Sequence, residues 1–297
     1  MDFMIEEYLS YLTQVKKVSP NTLESYRRDI LKYHDYMTKV QKRGICDANR
    51  TIILDFLLTA QKQGMATSSI LRMLASLRSL YRFLLQKHYV SENPAEEIHG
   101  FKSEKKMPQI LTDQEVERLL EQPVCKDFKG YRDCAMLELL YATGMRVSEL
   151  IALKVSDVNL EIGYINCLHG GENRVIPIHT TARDKLAAYL RYGRGKLPQI
   201  ADNDILFLNL NGAMLTRQGF WKIMKYYQKK AKITTDITPH MLRRTFAIRF
   251  LENGADLKSI QSILGHKDIA STQFYAQIVK RKLADTYYRA HPRAKSK

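Results

Sequence analysis

Three short segments of this 297-residue chain set charged or proton-carrying side chains at the ends of helices, where they reach outward to a ligand. In Ala142-Thr143-Gly144-Met145-Arg146-Val147-Ser148-Glu149-Leu150, Gly144 breaks one helix and Arg146 starts the next, with Glu149 one turn on. An arginine so placed aims a planar fork of N–H donors at the oxygens of a phosphate, and the carboxylate steadies the site. The same two residues also make an ordinary surface ion pair. In Thr238-Pro239-His240-Met241-Leu242-Arg243-Arg244-Thr245-Phe246, His240 and Arg243 are three apart and share a helical face. A proton-transfer group beside a phosphate clamp is what phosphoryl transfer requires, although this pair at this spacing is frequent by chance. In the third segment, Ile263-Leu264-Gly265-His266-Lys267-Asp268 leads on to Thr272-Gln273-Phe274-Tyr275. Gly265 ends a helix, His266 stands just beyond it, and Tyr275 follows nine residues later. Most of the 17 tyrosines must serve packing or the surface, so Tyr275 stands out by its company and not by its type.

Charge points to a polyanion. The chain holds 47 Lys and Arg against 31 Asp and Glu, a formal net charge of +16. The excess is uneven: residues 1–100 carry 14 basic and 11 acidic side chains, whereas residues 212–297 carry 18 and 5. Clustered cations gain free energy by releasing counterions condensed on phosphates; a merely basic, soluble surface is the plainer alternative. No apolar run approaches the ~18–20 residues of a membrane span. The N-terminus, MDFMIEEYLSYL, is acidic where a secretory leader is basic. A cytoplasmic protein is expected. Cys46, Cys125, Cys134 and Cys167 form no CxxC pair and have no histidine placed to complete a zinc site, so neither disulfides nor structural metal are expected.

The elements that must position these groups are mostly helical. The length favours two domains. Ser19-Pro20-Asn21-Thr22 opens a helix with Leu23, Tyr26, Ile30, Tyr33 and Met37 on one face. Residues 51–62 and 67–85 form two more, the second with Ile70, Leu74, Leu77, Tyr81 and Leu84 inward. Residues 1–94 thus read as a helical bundle, and the polar stretch 95–107 as a linker after Asn93-Pro94. In residues 108–297, helices are expected from Thr112 or Asp113, over 132–143, 182–192, 217–232, 240–253, 257–265 and 278–288. Residues 158–168 and 174–178 alternate and are β-branched, making one hairpin around His169-Gly170-Gly171-Glu172-Asn173. The fold class is mainly α with a small antiparallel sheet.

Taken together, these segments resemble the tyrosine recombinase (phage-integrase) family, most closely its Xer-type members. The resemblance runs over essentially the whole chain: SPNTLESYRRD, ATGMRVSEL, LTRQGFWKIMKYY, TPHMLRRTFA, LENGADLKSIQSILGH, STQFYAQI and a tail ending in HPRA. It implies an N-terminal core-binding bundle of the SAM-like kind and a C-terminal α+β catalytic domain. It also implies site-specific DNA recombination: Tyr275 attacks a backbone phosphate, giving a 3′-phosphotyrosyl link and a free 5′-hydroxyl. Arg146 and Arg243 would hold the non-bridging oxygens, His240 would manage the tyrosine proton, His266 would donate to the phosphate, and Glu149 would stand behind them. The bond energy is kept in the protein–DNA ester, so no metal, nucleotide or other cofactor is implied. The partners implied are double-stranded DNA and a homo- or hetero-tetramer of recombinase on it, the segment from Ile278 docking on a neighbour.

Two departures from the family pattern matter. The family's hairpin lysine, the acid for the departing 5′-oxygen, aligns with His169, and no lysine occurs between Lys154 and Lys185. An imidazole with an ordinary pKa near ~6.5 can donate that proton. A catalytically silent DNA-binding relative of the same fold, or a DNA-relaxing topoisomerase, are the rival readings. At Arg244 many relatives carry histidine. Expected DNA contacts are Arg72, Arg78 and Arg82 in the bundle, then Arg174, Arg217, Lys222, Lys225 and Arg244. Lys229 and Lys230 continue the stripe, with Trp221, Tyr226 and Tyr227 beside it assigned to the core.

Overall fold

The computed structural model describes residues 2–101, 109–169, 172–196, 204–265, 273–276 and 278–280, the side chains of His169 and Glu172 excepted. The chain divides into two compact units, Met1–Lys106 and Met107–Lys297. Among the described residues no helix is long and apolar enough to cross a membrane.

Among its described residues the first unit holds four α-helices: α1 (Phe3–Gln14), α2 (Pro20–Tyr36), α3 (Arg50–Lys62) and α4 (Thr67–Gln86). Side chains just before α1, α2 and α3 start them: Asp2, Ser19 and Asn49 each accept a hydrogen bond from a first-turn backbone N–H. Helix α1 comes in addition to the three helices that the sequence spacing predicts for this unit. Ile5, Tyr8, Tyr33, Ile53, Leu57, Ile70, Leu77 and Tyr81 fill the core. The Tyr81 hydroxyl donates to the Ile45 carbonyl at 2.9 Å and meets the Tyr33 hydroxyl at 2.7 Å, so both buried phenols are satisfied.

Two of the three arginines expected to face DNA are turned to protein partners. Arg72 binds the Ser25 carbonyl and the carboxylate of Asp29, a group only 1% exposed. Arg78 donates through Nε to the Ala95 carbonyl at 3.0 Å and through Nη2 to the Ile98 carbonyl at 2.5 Å. Ala95 and Ile98 are buried, so the beginning of the expected linker packs on this core. Arg82 is exposed and meets Glu96 at 3.1 Å.

In the second unit, α5 (Asp113–Leu120) starts at a reciprocal Thr112–Glu115 cap. Next, α6 (Phe128–Thr143) is buried nearly all round, as suits a central helix. It is followed by α7 (Val147–Ala152), a small sheet, α8 (Thr180–Ala188), α9 (Arg217–Lys230), α10 (Pro239–Glu252) and α11 (Leu257–Leu264). The sheet has three antiparallel strands, β1 (Val158–Asn159), β2 (Tyr164–His169) and β3 (Glu172–Pro177), in that order. Cys167 pairs with Arg174 and His169 with Glu172. The expected long strand over 158–168 is therefore broken. The Asn159 side chain accepts from Ile162 N–H at 2.9 Å, and Gly163 takes a positive φ of 84°, reversing the chain. In α9, Phe220, Met224 and Tyr227 face the core, but Trp221 and Tyr226 are exposed, against the expectation for those two. All four cysteines are free. The helix expected over 278–288 lies, apart from 278–280, outside the described residues.

Replacing Arg78 with Ala should strand two carbonyls it now satisfies, lowering stability by about 1–3 kcal/mol. Urea unfolding reads this directly; a variant of unchanged stability but weakened DNA affinity would return Arg78 to the nucleic-acid surface.

Candidate active site

The site is assembled where two helices end. Gly144 closes α6 in the left-handed conformation, φ 58°, and a Cβ there would lie 2.4 Å from the Phe246 ring, so only glycine fits. The chain then turns so that Arg146 caps α7. Glu149 Oε2 accepts from the Arg146 backbone N–H at 2.7 Å, and Oε1 accepts from Arg146 Nη1 at 2.9 Å. A second guanidinium reaches the same carboxylate from β3: Arg174 Nη2 donates to Glu149 Oε2 at 2.6 Å. The Glu149 side chain is fully buried.

Helix α10 brings the third. Arg243, 5% exposed, donates through Nη1 to the Gly144 carbonyl and through Nη2 to the Leu264 carbonyl, both at 2.7 Å. Arg174 Nε donates to the Ile263 carbonyl at 2.9 Å, and Arg146 Nη2 reaches the Gly265 carbonyl at 3.4 Å. Three consecutive carbonyls at the end of α11 thus each meet one of three arginines. Carbonyls at a helix C-terminus lack intrahelical partners and carry the negative end of the macrodipole, so cations settle there. Gly265 repeats the logic of Gly144: its φ is 62°, and a Cβ would lie 2.7 Å from the Arg174 guanidinium.

Three cations surround one carboxylate. Burial opposes ionisation of Glu149, but the bonds from Arg174 and Arg146 overcome it and hold its pKa below the usual carboxylate range. Burial, reinforced by the Arg146 charge, draws Arg243 down to about 10. The imidazole of His240 is likewise lowered, by burial first and then by the charges of Arg244, Arg243 and Arg146, so it is neutral at pH 7. At about 4 Å and an effective dielectric of 20, each unit pair is worth about 4 kcal/mol. One carboxylate cannot balance three guanidiniums, and the unmet positive charge suits an anion. Met145, Arg146, Val147, Ser148, Arg217, Trp221, Pro239, His240 and Arg243 line an open cavity of about 360 Å³ that would admit one.

Tyr275 lies in a helical turn over 273–276, 7% exposed, in a cluster with Ala247 and Ile248 of α10 and Ile260 and Leu264 of α11. Leu264 of that cluster is the residue whose carbonyl accepts from Arg243 Nη2. Arg146, His240 and Arg243 meet on the cavity and Glu149 is bonded to Arg146, whereas Tyr275 is packed in the adjoining apolar cluster and does not line the cavity. His266 lies outside the described residues, and for His169 only the backbone, at the end of β2, is described.

The expected DNA contacts divide. Arg217, Lys222 and Arg244 are exposed, Arg217 on the cavity wall. Lys225 is turned to Asp236, the Ile237 carbonyl and Gln228. Arg174 is a correction: its side chain is nine-tenths buried and bonded within the protein, because Glu149 and the end of α11 offer it acceptors that bulk solvent cannot reach. Sequence reasoning missed Trp221 as part of the cavity. Its flanking lysines were the available signal, and Lys225 Nζ lies 5.6 Å from the indole ring.

The model of the phage integrase family matches residues 109–282, and that of the phage integrase N-terminal SAM-like domain matches residues 5–88. The chain is 42% identical over 295 residues to tyrosine recombinase XerD of Staphylococcus haemolyticus (strain JCSC1435), covering 99% of this chain and all of that one. It is 43% identical over 297 residues to tyrosine recombinase XerD of Oceanobacillus iheyensis (strain DSM 14371), again covering 99% and 100%. Among solved structures, XerH site-specific recombinase bound to a palindromic difH substrate, a post-cleavage complex, matches with a TM-score of 0.77. That match has 21% identity and covers 96% of this chain and 84% of that one. The Tn1549 transposon integrase in complex with circular intermediate DNA matches with a TM-score of 0.75 and 21% identity, over 95% and 98%. At such identities the structural likeness speaks for the fold.

Gly144→Ala should cost about 1–2 kcal/mol in backbone strain alone, and more because Phe246 must move. A urea midpoint equal to that of the unaltered protein would show that this helix end relaxes freely.

Proposed function

Because the chain belongs to the phage integrase family and is a tyrosine recombinase of the XerC/XerD type, an enzyme of site-specific DNA recombination, we propose that Tyr275 is its nucleophile. The observation that carries this is the meeting of Arg146, His240 and Arg243 on one cavity, with Tyr275 packed in the cluster of Leu264, whose carbonyl accepts from Arg243. Double-stranded DNA is the substrate. The Tyr275 oxygen bonds to phosphorus, the bond to the 5′-oxygen breaks, and the strand is held as a 3′-phosphotyrosyl ester with a free 5′-hydroxyl. The ester stores the energy needed to rejoin, so strand exchange runs without nucleotide hydrolysis.

Arg146 and Arg243 hold the non-bridging oxygens and stabilise the charge that accumulates on them. Preorganised donors of this kind supply the largest share of many enzymatic accelerations. Neutral His240 takes the phenolic proton, for which its lowered pKa keeps it available at pH 7. His266 donates to the phosphate and Glu149 fixes Arg146. His169 gives the proton to the departing 5′-oxygen, in the position where the family carries lysine. Arg82, Arg217, Lys222 and Arg244 meet the phosphate backbone. The active assembly is a tetramer on two duplexes, of one recombinase or of two, with the segment from Ile278 joining neighbours. The silent-relative and DNA-relaxing readings have no observation in their favour.

A duplex nicked next to its cleavage site tests the chemistry, because loss of the short 5′-fragment traps the covalent ester. Tyr275→Phe should abolish trapping and leave DNA affinity within about twofold; a variant that still traps would require another nucleophile. The acid is tested separately. His169→Ala should slow cleavage on the order of 100-fold or more. A 5′-phosphorothiolate, whose sulfur leaves without a proton, should restore the rate, and absence of that rescue would remove His169 from the role.

A further inference from the structure

Arg174 departs furthest from expectation. It extends from β3 across to two other elements at once, with Nη2 on Glu149 of α7 at 2.6 Å and Nε on the Ile263 carbonyl of α11 at 2.9 Å. It is nine-tenths buried, and Gly265 must lack a side chain for the guanidinium to lie where it does. Glu149 accepts in turn from both the backbone and the side chain of Arg146. The strand that carries Arg174 also forms one side of the hairpin whose other side ends at His169.

We propose that Arg174 is a positioning residue for strand cleavage, clamping Glu149, and through it Arg146, to β3 and to the end of α11. The proposal rests on the reading of this site as that of a tyrosine recombinase. Its physical basis is the geometry of the planar fork, which satisfies two acceptors at once. A carboxylate held on one edge only would let the Arg146 guanidinium swing. Misplacement of a catalytic group by about 1 Å costs roughly a hundredfold in rate. Glu149 faces Arg146 from α7, Arg174 from β3, the Cys167 thiol from β2 and Arg243 from α10. Without Arg174, burial works against its ionised form with less to oppose it. The carboxyl then takes a proton at higher pH and ceases to hold Arg146.

The test compares the unaltered full chain with Arg174→Ala and Arg174→Lys on the nicked duplex, measuring affinity as a function of salt and the cleavage rate of the bound complex as a function of pH. In Arg174→Ala the bound complex should cleave roughly a hundredfold more slowly, with affinity within about threefold and an unchanged salt slope. The acid limb of its rate profile should move to higher pH. Arg174→Lys keeps the charge but reaches one acceptor at most, so it should fall between the two and guards against a poorly folded alanine variant. In a Glu149→Gln background, Arg174→Ala should slow cleavage by less than about threefold more. Loss of affinity with a shallower salt slope and a normal bound-state rate would make Arg174 a phosphate contact and overturn the proposal. So would a reduced rate whose pH profile does not move. If the unaltered protein binds duplex but never traps it, the recombinase reading of the site fails first.

Discussion

Everything at this site depends on keeping three guanidinium groups together in a largely dry place. Arginine does not shed its charge, so the protein must answer it with acceptors. It does so with one buried carboxylate, Glu149, and with carbonyls at the ends of two helices. Gly144 at the end of α6 takes one bond from Arg243, and Ile263, Leu264 and Gly265 at the end of α11 each take one from a different arginine. The carbonyls that a helix leaves unpaired are therefore what orients the cluster. The two terminating glycines follow from this, since a side chain at Gly144 would strike Phe246 and one at Gly265 would strike Arg174.

The same arrangement ties the arginine cluster to the packing of Tyr275. Helix α11 ends in the carbonyls that anchor the arginines, and the chain goes on from there to His266 and Tyr275. The end of α11 therefore carries acceptors for all three arginines and, through Leu264, part of the apolar bed of Tyr275. Tyr275 is also tied to α10 and α11 by burial among Ala247, Ile248, Ile260 and Leu264. Helix α10 contributes His240 and Arg243 on its site face and the apolar bed of Tyr275 on another. Packing and chemistry in this region share one helix.

Much of this was legible in the sequence, and the parts that were not have a common cause. Ser19 and the Thr112–Glu115 pair announce helix starts because capping is local chemistry. Gly144 and Gly265 announce helix ends for the same reason, and the arginines and histidines stand out by lying next to those ends. Side-chain partners chosen across the fold are different. Arg174 meets acceptors 25 and 89 residues away, and Arg72 meets Asp29 across 43. Composition shows a long cation but not which way it turns, so the inward turn of neither is legible in it. The sheet failed on a subtler point. Val158, Leu160, Ile162 and Tyr164 keep an apolar alternation through a stretch that reverses at Asn159 and Gly163, and Ile162 ends up 73% exposed. Periodicity alone does not distinguish a strand from a turn that keeps its rhythm.

The imbalance of charge is itself informative. A protein selected only for stability would match three buried or half-buried cations with more than one carboxylate, or replace them with apolar groups of similar size. Here the mismatch is retained, and Arg243 is held well below its ordinary pKa by burial first and then by the neighbouring charge of Arg146. A phosphodiester brings one such charge, and the five-coordinate transition state brings a second. On the proposed assignment the cluster is thus nearer to balance with the transition state bound than with the ground state, and nearer with the ground state than empty. Interactions that strengthen along that order lower the barrier and not merely the dissociation constant. On that assignment the stability forgone in the empty protein and the acceleration of cleavage have one electrostatic origin.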